Sequence, residues 1–201
     1  MTKPLQPRAA RTRQLIIGSA ATAVDLYGPE ASLGQMCEAA GISRGALNHH
    51  FALRQDVLAS IRSAAETELA LLGRQLLRHP GPLAEAVDEL ATALRGKLRS
   101  DTAIRAGTQL LLSDRTTARA LIRRTQRILR RRAVVESRRG RLRRRTPPRA
   151  TAALFTCVLV GLEAVDRLDT EWWDDGCAEG MWQLLMAVTV ADLDNDLTQG
   201  P

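Results

Sequence analysis

Residues 32–51 read Ser-Leu-Gly-Gln-Met-Cys-Glu-Ala-Ala-Gly-Ile-Ser-Arg-Gly-Ala-Leu-Asn-His-His-Phe. Ser32 is placed to cap a helix running through Ala40, Gly41 supplies a left-handed turn, and Ser43 caps a second short helix. Leu33, Met36 and Cys37 are spaced to pack inward from the first helix, Ile42 to plug the corner, and Leu47 and Phe51 to anchor the second. This is the layout of a helix-turn-helix, whose rigid corner holds the first turn of the second helix against base edges in a major groove. Ser43, Arg44, Gly45, Asn48 and His49 are then the outward residues. Arg44 suits a bidentate contact to guanine O6 and N7, and Gly45 lets the backbone come close to DNA. An ordinary helical hairpin in a core would use the same turn chemistry.

Outward from this stretch, apolar residues recur at spacings of three and four, and alternating β-branched runs are absent, which predicts an all-α protein. Upstream, a helix over about 12–27 is predicted to turn Leu15, Ile16, Ala20, Ala23, Val24 and Tyr27 inward and to stop at Gly28-Pro29. Downstream, a long helix over about 54–79 ends at Pro80-Gly81-Pro82, and further helices are expected at about 83–98, 102–112, 116–137, 150–169 and 177–194. The expected division is a helix-turn-helix domain over 1–52 and a helical domain over 53–201.

The chain has 201 residues, of which 45% are hydrophobic, enough for a substantial core. Its longest uninterrupted apolar run spans only a few residues, so no membrane span or signal segment is expected. Three cysteines, Cys37, Cys157 and Cys177, lack any C-x-x-C spacing, which argues against a disulfide framework and against a metal site. His49 and His50, adjacent on a helix, point about 100° apart and are unsuited to sharing a ligand. Nucleophile-elbow, P-loop, H-E-x-x-H and dinucleotide patterns are absent, so neither catalysis nor a cofactor is expected.

Charge is unevenly placed. Segment 119–149 holds 14 basic residues and 1 acidic, whereas 150–201 holds 1 basic and 10 acidic. With 6 aromatic residues in all, base-stacking platforms are excluded, and duplex DNA is the nucleic acid that fits. On a helix, Leu121, Thr125, Ile128, Leu129 and Arg132 fall on one face, and Arg119, Arg123, Arg127, Arg130 and Arg131 largely on the other. The expected partner of that arginine face is the acidic segment with Asp166, Asp169, Glu171, Asp174, Asp175 and Glu179. A nucleic-acid contact and a membrane-surface helix are the alternatives.

The helix-turn-helix resembles the DNA-binding domain of the TetR family of bacterial transcriptional regulators. Matching residues are Ile16-Ile17, Ala20 and Gly28 in the first helix, then Met36-Cys37, Ala40-Gly41-Ile42-Ser43, Gly45, Leu47, His50-Phe51, and Arg54 with Val57-Leu58. Asn48 stands where the family has a phosphate-contacting Tyr, and Arg54 where it has a Lys. The resemblance implies a DNA-facing set of Ser32, Ser43, Arg44, Gly45, Asn48, His49, His50 and Arg54. Farther on, Thr102 to Leu110, the basic helix and the run from Ala153 to Val165 resemble the γ-butyrolactone-receptor-like subgroup, although 116–135 lack that subgroup's ligand-contacting Trp.

The resemblance implies a cytoplasmic, nucleoid-associated homodimer that represses genes at palindromic operator DNA, in this subgroup genes of antibiotic production, and is released by a small-molecule effector. A butyrolactone-like compound or an antibiotic is the implied effector class, and Leu94, Leu98, Ile104, Leu110, Phe155 and Trp182 are candidate linings. The dimer interface is expected from Val158, Gly161, Leu162, Val165, Leu184, Leu185 and Val188. A helical adaptor, or an arginine-rich nucleic-acid binder without operator specificity, is the rival reading.

Overall fold

The computed structural model describes residues 7–143, 146–168 and 175–189. Among them the regular elements are α1 (Pro7–Tyr27), a single 3-10 turn (Gly28–Glu30), α2 (Leu33–Ala40), α3 (Arg44–His50), α4 (Arg54–Arg78), α5 (Leu83–Ser100), α6 (Thr102–Ser113), α7 (Arg115–Arg138), α8 (Pro148–Leu168) and α9 (Asp175–Thr189). The fold is all-α. Most bounds lie within a few residues of those the periodicity predicts, and the expected residues 190–194 of the last helix lie outside the described residues.

The chain packs as two compact units that are not continuous in sequence. One takes in the described residues up to Ala70 together with Lys97–Ala118, and the other Leu71–Gly96 with the described residues from Arg119 onward. The whole of α2 and α3 lies in the first unit, as does α6, and α4, α5 and α7 each run from one unit into the other.

The core of the first unit gathers Ile16, Ile17, Ala20, Val24, Met36, Leu47, Phe51, Val57, Ile61, Ala106 and Leu110. The buried stripe of α1 is therefore Ile16, Ile17, Ala20, Ala21, Ala23 and Val24, whereas Leu15 and Tyr27 are 66% and 55% exposed. Their predicted inward placement is corrected: at about 100° per residue Leu15 sits a step off the edge of the stripe, whereas Tyr27 is in line with it but is the last residue of α1. Two features fasten α6 to this unit. Arg105 forks onto Asp25 of α1, Nε donating to Oδ1 at 2.8 Å and Nη2 to Oδ2 at 2.7 Å. On α6 itself, Gly107 faces α4 so closely that a Cβ there would stand 2.6 Å from the Ala65 Cβ and 2.7 Å from the Ile61 carbonyl oxygen.

In the second unit, Phe155 of α8 and Trp182 of α9 meet with ring centroids 6.0 Å apart. The 18 residues Pro148–Val165 of α8 are long and apolar enough, by length and composition, to cross a membrane. Counting uninterrupted runs misses this window, because Arg149, Thr151, Thr156, Gly161 and Glu163 break the runs while its mean stays apolar; a core helix meets the same length and composition test. Leu162 and Phe155 of that helix are nonetheless buried inside the protein, and so is the carboxylate-bearing Glu163.

Candidate nucleic-acid interface

Both helices of the corner are held as their sequence predicts. Ser32 and Gln35 form a reciprocal capping box: the Ser32 Oγ accepts from the Gln35 amide at 3.2 Å, and the Ser32 amide donates to the Gln35 Oε1 at 2.8 Å. Gly41 adopts φ +61°, in the left-handed region, and its amide closes the end of α2 onto Glu38 and Cys37 carbonyls. The Ser43 Oγ then accepts from the Ala46 amide at 3.2 Å and starts α3. Leu47 is fully buried and Phe51 2% exposed, so α3 has one face in the core and cannot roll.

The opposite face of α3 is free. Arg44, Gly45, Asn48 and His49 are all exposed, and His50 is half-buried with its ring edge-on to His49, centroids 5.3 Å apart. Nothing inside the fold calls for glycine at position 45, because an added Cβ would meet the Ser43 Oγ at an ordinary 3.8 Å. Glycine within a helix costs about 0.8–1 kcal/mol relative to alanine, and no close contact inside the fold offsets that cost here. The hydroxyls of Ser32 and Ser43 are both exposed, though each is already committed to a helix cap.

Arg54 differs from its expected place. Its guanidinium turns inward, Nε donating to the Ala31 carbonyl at 2.6 Å and Nη2 to the Pro29 carbonyl, and the residue is half-buried. It ties the start of α4 to the turn between α1 and α2 instead of standing clear as a phosphate donor, which the longer, forked Arg does where a Lys has a single point charge to offer. Arg13, which sequence reasoning did not single out, completes the support from behind. It lies over the Phe51 ring at 4.5 Å and donates to the Ser60 Oγ at 2.8 Å. Its aromatic partner is far away in sequence, so no local pattern announces it.

The candidate effector linings divide between the units. Leu98, Ile104 and Leu110 lie in the first, where Leu110 belongs to the core that carries the helix-turn-helix, and Leu94, Phe155 and Trp182 lie in the second. The candidate dimer residues also divide. Leu162 and Leu185 are 3% and 6% exposed within the single chain and are core residues, which corrects their assignment to a surface. Val158, Gly161 and Val165 are half-buried, Leu184 is 71% exposed, and the Val188 side chain lies outside the described residues.

No protein-family model matches the chain, and no curated protein matches it. Solved structures do. The TetR family protein CprB from S. coelicolor A3(2) superposes with a TM-score of 0.76 at 24% identity over 92% of this chain and 91% of that one. CprB in complex with its biological operator sequence superposes with a TM-score of 0.71 at 24% identity, over 92% and 91% of the two chains. A γ-butyrolactone receptor described as ArpA-like gives 0.75 at 23% identity, over 92% and 91%. NalD, the secondary repressor of the MexAB-OprM multidrug efflux pump in Pseudomonas aeruginosa, gives 0.72 at 20% identity, over 93% and 100%. The chain has the all-α fold of these TetR-type regulators, a helix-turn-helix followed by further helices, along essentially its whole length.

Proposed function

We infer that the protein is a homodimeric transcriptional repressor that binds palindromic operator DNA through α3 and is released by a small-molecule effector. The observation that supports this best is the outer face of α3. Arg44, Gly45, Asn48 and His49 are exposed on a short helix that two caps and two buried anchors hold rigid. Such a helix presents its first turn to a major groove, and a dimer places two of them roughly 34–36 Å apart to meet successive half-sites. Arg44 reads a guanine, Asn48 and His49 extend the contact, and Gly45 admits a phosphate or base edge close to the backbone.

The effector would occupy the second unit, whose buried apolar side chains include Leu94 and the aromatic pair of Phe155 and Trp182. Release then requires that it bind the DNA-incompatible arrangement more tightly than the competent one. A compound from a biosynthetic pathway fits better than a simple butyrolactone, because α7 brings no aromatic residue. Surface-exposed Leu184 and the half-buried Val158, Gly161 and Val165 are the proposed dimer contacts.

Footprinting of the full-length protein on selected oligonucleotides tests the reading. A protected palindrome, cleared by one of a set of butyrolactones and pathway metabolites, is the expected result; no sequence preference at all sinks it. Arg44→Ala should cost about 1–3 kcal/mol on that operator and relax the preference at one base pair per half-site. Equal weakening on every sequence would reassign Arg44 to a phosphate.

A further inference from the structure

The exposed face of α7 is unaccounted for by operator recognition. Arg119, Arg123, Arg124, Arg127, Arg130, Arg131 and Arg138 are all exposed and all belong to the second unit. At about 100° per residue these seven side chains leave the helix within about 140° of arc, and at 1.5 Å rise Arg119, Arg123, Arg127 and Arg131 form a ladder about 18 Å long. The helix between residues 119 and 138 contains one carboxylate, Glu136, which is buried and has Arg139 and Arg141 beside it at 3.8 Å and 3.6 Å. Like charges four residues apart destabilise a helix, so this arrangement works against the helix that carries it. A solvated face ordinarily mixes its signs.

Arg132, by contrast, lies on the inward side and is tied into the fold, Nη1 donating to the His79 carbonyl at 2.9 Å and Nη2 to the Gly81 carbonyl at 2.6 Å. From residue 119 onward the arginines of α7 thus divide into one that fastens the fold and seven that face out. The partner they fit is a polyanion with closely repeated charges. An anionic membrane surface would need apolar residues on the same face, and α7 instead turns Leu121, Ile122, Ile128 and Leu129 inward, leaving them half-buried or buried. Single-stranded RNA would need stacking side chains, and α7 contains no aromatic residue.

We propose that the arginine face of α7 is a second DNA contact, sequence-independent and made to the phosphates of a duplex, in addition to α3. It rests on the reading of the chain as a DNA-binding protein, and it is tested apart from that reading by using DNA with no operator. The full-length protein is titrated by fluorescence anisotropy against a random-sequence duplex at several salt concentrations. The triple variant Arg123→Gln, Arg127→Gln, Arg131→Gln should lower the magnitude of the log–log salt slope by about 2.7, at about 0.9 per lost phosphate contact. Its Arg→Lys counterpart should keep the wild-type slope. Should the triple variant fail to fold, Arg127→Gln alone should lower the slope by about 0.9.

Unchanged slopes in the Gln variants overturn the proposal. So does a fall in their melting temperature with DNA binding intact, which would give the face to the acidic residues of 150–201, and so does binding to phosphatidylserine vesicles in place of the duplex. Loss of operator preference with the random-sequence slopes as expected would fault the repressor reading and leave this contact standing.

Discussion

At position 54 the structure assigns an arginine to the fold instead of to the surface. A guanidinium that donates to the carbonyls of Pro29 and Ala31 fixes the corner through which α1 passes into α2. Hydrogen bonds from a charged group contribute about 1.5–3 kcal/mol, and Arg54→Met should lose an amount of that order in urea unfolding. Its salt slope on operator DNA should stay that of the wild type; a slope smaller by about 0.9 would restore Arg54 as a phosphate contact. Gly41 and Ser43 were readable from sequence because a cap and a left-handed turn depend on neighbours two or three residues away. Arg54 was not, because its partners lie 23 and 25 residues upstream.

At the scale of single helices, α6 holds the chief surprise. Its pattern of apolar residues predicts a helix over about 102–112 and says nothing of its neighbours. The structure sets it against α1 through the Arg105–Asp25 fork and against α4 through Gly107. Gly107→Ala should therefore be destabilising by about 1–3 kcal/mol, as overpacking is, although alanine is the better helix former. Melting curves read this directly, and a stabilised variant would mean that α6 stands off from α4.

A second element-scale effect follows from α5. Burial, then the carboxylates of Glu179 on α9 and of neighbouring Glu89, push the Asp88 carboxyl above its ordinary range. A raised folded value means that the fold favours the protonated form. The associated stability is present below the unfolded pKa and is lost as pH rises through the folded one. Asp88→Asn should thus be more stable than wild type at neutral pH, and the difference should vanish toward pH 3. A gain that persists undiminished in acid would assign the effect to packing instead of charge.

At the scale of the whole molecule, α8 has an inner face and an outer one. Phe155, Leu159 and Leu162 are buried, while Leu154 is 38% exposed and Val158, Gly161 and Val165 are half-buried on the other side. Apart from the chain neighbours and the backbone of α8 itself, no atom lies within 4 Å of a Cβ built on Gly161, so a longer side chain there points into open space without disturbing its own chain. Gly161→Glu should accordingly leave the melting transition of a protomer in place and convert the dimer to monomer in sedimentation or light scattering. A wild-type monomer at micromolar concentration, or a Gly161→Glu dimer, would move the interface away from α8. Half-site recognition depends on this result, because one α3 covers only half of a palindrome.

The sequence by itself determined the helices, the corner between α2 and α3, and the outward residues of α3. These follow from caps, a left-handed glycine and a period of 3.6 residues, all of which operate over a few neighbouring positions. It also separated the two faces of α7, since one period fixes both the apolar side and the arginine side. Tertiary structure decided which apolar residues are shared and with whom. Leu162 and Leu185 fell to the core of the second unit, Leu110 to that of the first, and Leu15 and Tyr27 to the surface. An apolar stripe records that a side chain avoids water, and burial in a core, a ligand site or a partner interface satisfies that requirement equally well. Which of them applies depends on contacts between residues distant in sequence, such as Asp25 with Arg105 or Ala65 with Gly107, and these exist only once the helices have packed.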